Sequence, residues 1–179
     1  MRLDMNLPVA LFTLFVAALL QDLIPATPAF PAKIGLLTAV ALHAALTKPM
    51  TVALTVALWA GGLTDALGGL PLVCTSAFLW LVYGAVRLLQ RVFLEGTLVQ
   101  GTLLTACAAV LQTVWTRLWV DTGEAFFAWH TLERLGYSAL AGLVAGLAGF
   151  ALCGLADRLS GNVKPAKESH GILWAETDR

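Results

Sequence analysis

The chain alternates long apolar stretches with short breaks rich in proline, glycine or charge. A helix needs about 20 mostly apolar residues, within a range of roughly 17 to 25, to cross a bilayer. Apolar runs at residues 7–24, 31–46, 50–67, 72–89, 97–120 and 136–156 approach or meet that length, the second being the shortest. The breaks are punctuated in the expected way. The first run stops at Pro25 and is followed by PATPAFPAK, a proline-dense turn, and Thr47-Lys48-Pro49 separates the second run from the third. After Asp157 the polar segment DRLSGNVKPAKESHGILWAETDR, with Gly161 and Pro165, reads as a disordered tail. The pattern therefore predicts an all-α integral membrane protein. Its polytopic membrane domain covers residues 1–157 with about six transmembrane helices, and a polar cytoplasmic tail covers 158–179. Reading the first run as a cleaved signal peptide is the weaker alternative, because Arg2 is balanced by Asp4 and no clear A-x-A site follows.

Composition sharpens this picture. The chain is 59% hydrophobic and 12% charged, with a mean hydropathy of +0.81. A water-facing shell on a domain of this size takes about a quarter charged residues, so an apolar solvent is the simplest explanation. The formal net charge is zero, which gives no electrostatic reason to expect nucleic acid as a partner. Cys74, Cys107 and Cys153 are far apart, show no metal or redox spacing, and read as small hydrophobes.

Charge also sets a direction. With an even number of spans both termini share one side. Arg2, Lys48, Arg87, Arg91, Arg158, Lys164, Lys167 and Arg179 then fall on that side, leaving Lys33, Arg117 and Arg134 on the other. By the positive-inside rule the richer side is the cytoplasm. Trp115 and Trp119, one turn apart at the end of the fifth run, fit an outer aromatic belt. The following segment DTGEAFFAWHTLERLG mixes aromatic and charged residues and predicts a short helix lying in the outer interface.

Candidate chemistry is sparse. The sequence has no HExxH, GxSxG or P-loop, and His43, His130 and His170 are too scattered to suggest a metal site. No catalytic, cofactor-binding or metal-ligating residue is predicted, and no cofactor. Gln112, Thr105, Thr113 and Thr116 on the fifth run are polar residues placed to hydrogen-bond between helices. Gly142 and Gly146 form a GxxxG pair in the sixth run, with Ser138 a turn before and Gly149 on a neighbouring face. Such spacing lets backbones approach closely, and internal packing is favoured over a partner helix. Arg87, Arg91 and Glu95 recur every four residues on one face of a helix leaving the membrane. That face suits anionic lipid, at about 1 kcal/mol per basic residue, or a cytoplasmic partner. Asp65 ends the third run, followed by Gly68, Gly69 and Pro71. On position alone it is a helix-terminating acid, partly in water, since a carboxylate costs much less near an interface than at mid-bilayer. The other expectation is a fixed corner in which the carboxylate accepts hydrogen bonds from backbone or a partner. Asp22, near the outer end of the first run, is expected to sit apart from it.

The stretch GGLTDALGGLPL also carries a resemblance. Gly62-Leu63-Thr64-Asp65 followed by Gly68-Gly69-Leu70-Pro71-Leu72 is similar to the Gly-Leu-x-x-Asp element, glycine turn and Pro-Leu pair of the rod shape-determining protein MreD family. The LTKPM link and the basic RLLQRVF after the fourth run fit as well, so the resemblance spans residues 7–156. There are two departures. Val73 stands where the family often has glycine, which puts the turn geometry in question, and the 25–31 segment lacks a Pro-Asp pair. The resemblance implies a non-catalytic scaffold of the bacterial elongation machinery in the inner membrane, supporting lateral peptidoglycan synthesis and rod shape. Its implied partners are an MreC-like single-span protein, an MreB-like actin, a RodA-like polymerase and a penicillin-binding transpeptidase. It also implies a fold similar to the substrate-binding membrane subunits of energy-coupling-factor transporters, which makes a small-molecule-binding vitamin transporter subunit the alternative function.

Overall fold

The computed structural model describes residues 6–24, 32–71, 73–90, 98–119 and 129–161. Within them the chain is all-helical, with α1 Asn6–Leu23, α2 Leu36–Thr47, α3 Met50–Gly68, α4 Cys74–Gln90, α5 Leu98–Trp119 and α6 Trp129–Leu159. Successive helices alternate in direction. One end of the molecule therefore carries Lys48 and Asp157, and the opposite end carries Asp65, the last turn of α5 and the first turn of α6.

Three helices, α3, α5 and α6, are long and apolar enough to cross a membrane, and α1, α2 and α4 are shorter apolar helices. The exterior is apolar as well: Phe12, Phe15, Leu58, Trp59, Trp80, Leu81, Leu103, Leu111 and Leu147 are all exposed. Side chains of this kind are satisfied against lipid, as in a membrane protein. Several hydroxyl groups are satisfied within their own helices. Thr13, Thr55, Thr64, Thr102 and Thr105 each donate to the carbonyl four residues earlier, at 2.8 Å in every case.

The runs at 7–24, 50–67, 72–89 and 97–120 match α1, α3, α4 and α5 to within two residues at each end. The other two differ. The second run predicted a span over 31–46, but α2 has only 12 residues, about 18 Å of helix, and residues 33–35 lead into it without helical structure. The reason is packing. α2 touches all five other helices, and every residue from Leu36 to Ala45 is buried. A helix wrapped by protein need not match the bilayer, and irregular backbone is tolerated where protein covers it. Leu37, Val40 and Leu42 accordingly form the centre of the core, together with Val56 and Val86.

The sixth run predicted 136–156, with a separate interfacial helix before it. Instead α6 runs unbroken for 31 residues, so Trp129 to Leu135 form its first two turns. Residues 121–128 of that predicted interfacial segment lie outside the described residues. At the other end α6 continues to Leu159, beyond the predicted domain limit, and the tail from residue 162 also lies outside them.

Candidate functional site

The corner between α3 and α4 is built from the residues that drew attention in the sequence. α3 ends in a Schellman-type stop. Gly69 is left-handed (φ 65°), and the N–H groups of Gly69 and Leu70 return to the Asp65 carbonyl, the latter at 3.0 Å. Glycine suits Gly69 because an L side chain pays about 1–2 kcal/mol in that conformation.

α4 then starts without a conventional cap. Its first intrahelical bond runs from Ala77 N–H to the Val73 carbonyl, so Val73 holds the N-cap place yet offers no side-chain oxygen. The missing acceptor comes from the neighbouring helix. Both carboxylate oxygens of Asp65 accept from the Thr75 N–H, at 3.0 and 3.1 Å, which is the second helical position that a capping side chain normally serves. Asp65 lies at the carbonyl end of its own helix, where a negative charge is unfavourable. It faces the N–H end of α4, where a negative charge is favourable.

Asp65 is 0% exposed. The expectation of a helix end partly in water is thereby corrected: the acid is enclosed, while Asp22 is exposed on α1, well separated in environment. The fixed-corner expectation is met in its backbone form. A direct bond from this carboxylate to a partner is not available in this conformation.

Val73 adopts φ 82°, a left-handed conformation that is an outlier for a β-branched residue. A valine thus occupies a backbone conformation that favours glycine. Close packing makes the corner possible. A Cβ on Gly61 would collide with the backbone of Ser76, and the Ser76 hydroxyl donates to the Leu58 carbonyl at 3.2 Å. The motif residue Gly62 has open space where its Cβ would be, and Gly68 would meet only Leu70 at 3.6 Å. The close approach of α3 to α4 therefore rests on Gly61, which the family pattern did not single out. Pro71 is exposed beyond the turn. Trp115 closes the corner from α5, donating to the Cys74 carbonyl at 3.0 Å and packing on Phe78 at 6.2 Å between centroids. Trp119 is exposed as a belt residue would be, whereas Trp115 belongs to the packing.

The opposite end is organised by charge. Lys48 Nζ and the Asp157 carboxylate form an ion pair at 2.5 Å, with side-chain exposures of 7% and 18%. Arg87 donates to the Lys48 carbonyl at 2.7 Å and to Tyr83 Oη at 3.0 Å, and Gln90 donates to the Leu46 carbonyl at 3.0 Å. The last turn of α4 thus covers carbonyls at the end of α2 and in the link to α3. Arg87 is engaged within the protein, and Arg91 and Glu95 lie outside the described residues. His43 is buried nearby, edge-on to Phe150 at 5.2 Å. Among the described residues no group of three or more His, Cys, Asp or Glu could hold a metal.

The glycines of α6 pack internally. A Cβ on Gly142 would meet Ala106 Cα of α5 at 2.7 Å, one on Gly146 would meet Thr102 Cα at 2.8 Å, and one on Gly149 would meet Ala39 of α2 at 2.5 Å. The polar residues of α5 do bond between helices in part: Thr38 donates to Gln112 Oε1 at 3.0 Å and Thr113 to Ser138 at 2.8 Å. Thr105 and Thr116 bond to carbonyls of their own helix.

Gln112 and Thr113 also line a feature that sequence reasoning missed. A cavity of about 410 Å³ opens at the Asp65 end, between α1, α2, α3, α5 and α6 and the stretch that enters α2. Thr64, Leu67, Gly68 and Leu70 of the α3–α4 corner form one wall. Its lining is drawn from segments far apart in the sequence, so no local motif could have revealed it. Comparison with protein-family models, with curated proteins and with solved structures gives no match.

Proposed function

We propose that this chain is a non-catalytic, MreD-like scaffold of the bacterial elongation machinery. It spans the inner membrane about six times with both termini in the cytoplasm, and it supports lateral peptidoglycan synthesis through an MreC-like single-span partner. An MreB-like actin, a RodA-like polymerase and a penicillin-binding transpeptidase belong to the same assembly. The observation that carries this reading is the α3–α4 corner. The element on which the resemblance rests, Gly62 to Pro71, is one fixed unit with its acid satisfied internally. Such a unit presents a constant surface, which a scaffold requires.

The basic residues support the orientation. Lys48, Arg87 and Arg158 lie at one end of the helices and Lys33, Arg117 and Arg134 at the other. Together with the basic tail this supports a cytoplasmic Lys48 end, close to anionic lipid. Alkaline phosphatase fused after Arg179 should be inactive, and fused after Gly123 it should be active.

Affinity purification from mild detergent, with mass spectrometry of what co-elutes, tests the function. An MreC-like protein should be retained. If none is retained and a small solute is, the chain is a small-molecule-binding membrane subunit, a second reading that the cavity at the Asp65 end favours.

A further inference from the structure

The cavity has a one-sided chemistry. Lys33 and Arg134 stand at its rim, and no Asp or Glu lines it among the described residues. In the same lining, Gln21 accepts the Leu37 N–H through Oε1 at 3.2 Å, and Gln112 accepts the Thr38 hydroxyl through Oε1 at 3.0 Å. In each case the carbonyl side of the amide is used and the NH₂ group is left to donate. The hydroxyls of Thr113 and Ser138 spend their hydrogens on the Ala109 and Arg134 carbonyls and, for Thr113, on Ser138, so they add no free donor. The site therefore offers two cations and two amide donors, and no carboxylate among the described residues.

Depth and volume narrow the ligand. From Arg134 to Gly142 the wall descends about 12 Å along α6, ending among small residues, Gly142, Ala109 and Thr105. A space of about 410 Å³ lies within the usual range for small-ligand pockets, about 300–1,000 Å³, and is too large for a bare oxyanion. Guanidinium and ammonium groups at a rim select phosphate oxygens, the arginine by paired hydrogen bonds and the lysine as a point charge.

We infer that this cavity binds a phosphate ester, with the phosphate held by Lys33 and Arg134 and the polar remainder reaching Gln112. The phosphate belongs either to the headgroup of an anionic lipid or to a soluble phosphorylated compound. The site goes beyond the scaffold reading and stands or falls separately from it.

The test uses the full chain in a non-ionic detergent, with dihexanoyl-phosphatidylglycerol and glycerol 3-phosphate as probes and thermal unfolding as the readout. At least one probe should raise the midpoint in a saturable way. Lys33→Gln with Arg134→Gln should weaken that probe about tenfold or more, the loss expected for charge-assisted bonds. Both residues are exposed, so the double variant should unfold at the wild-type midpoint without probe. Gln112→Leu gives a second check inside the cavity and should also weaken the probe. A response to the lipid alone assigns the headgroup source, and a response to glycerol 3-phosphate assigns the soluble one. No saturable response to either, or an equal response in the double variant, overturns the inference. Retention of the MreC-like partner by the Lys33/Arg134 variant would leave the scaffold reading intact in every case.

Discussion

The two ends of the helix array solve the same problem with opposite means. At the Asp65 end an acid meets a backbone donor, the Thr75 N–H in the first turn of α4. At the Lys48 end side-chain donors meet backbone carbonyls and one another: Arg87 and Gln90 cover the end of α2, and Lys48 pairs with Asp157 of α6. Each choice agrees in sign with the helix terminus it serves. The difference lies in replaceability. An ion pair between two side chains can be exchanged as a pair for apolar residues. A side chain bonded to backbone has no second partner to exchange, because the N–H of Thr75 stays whatever replaces Asp65.

This contrast can be broken by substitution. The largest effect is expected at the ion pair. Lys48→Met leaves Asp157 without its charge partner and should cost about 3–5 kcal/mol, whereas Lys48→Met with Asp157→Leu should recover most of that loss. Unfolding midpoints of the single and double variants in mild detergent measure both.

Asp65→Ala comes next, at about 1–3 kcal/mol, from the exposed α4 terminus and an unsatisfied buried N–H. The comparison sharpens if no second substitution on α4 restores it. A single rescuing change there would show that the two ends are alike.

Gly61→Ala should cost about 1–3 kcal/mol, because its methyl group meets the Ser76 backbone, which cannot yield as a flexible side chain would. Gly62→Ala should be nearly neutral, or slightly favourable from helix propensity. Equal losses at the two glycines would contradict the packing described for the corner. The smallest effect is at Val73, where glycine relieves a left-handed valine (φ 82°). Relief of about 1–2 kcal/mol is partly offset by the added freedom of glycine in the unfolded chain, so a small rise in midpoint is expected.

These particulars also show what the sequence could convey. Helix count and most helix ends were legible, because apolar length and the punctuation at Pro25, Pro49 and Gly69 act locally. α2 was misjudged because burial on all sides removes the length that lipid imposes. α6 was misjudged because His130, Glu133 and Arg134 resemble an interface loop, yet a helix can continue past the apolar layer. Asp65 was identifiable as the residue to ask about, but depth alone pointed to water. Its true partner, the start of the next helix, appears only once α3 and α4 are folded against each other. Gly61 was passed over for Gly62 because the motif names the second glycine and packing uses the first. The cavity was illegible for the same reason of distance, since Lys33, Gln112 and Arg134 come from three separate segments.

Amide hydrogen exchange at Thr75, compared between the wild-type chain and Asp65→Ala in mild detergent, tests the corner most directly. Slow exchange in the wild type, lost in the variant with the change confined to the first turn of α4, is the predicted result. Fast exchange at Thr75 in the wild type, or a rate unaffected by removing the carboxylate, would contradict the claim that Asp65 caps α4.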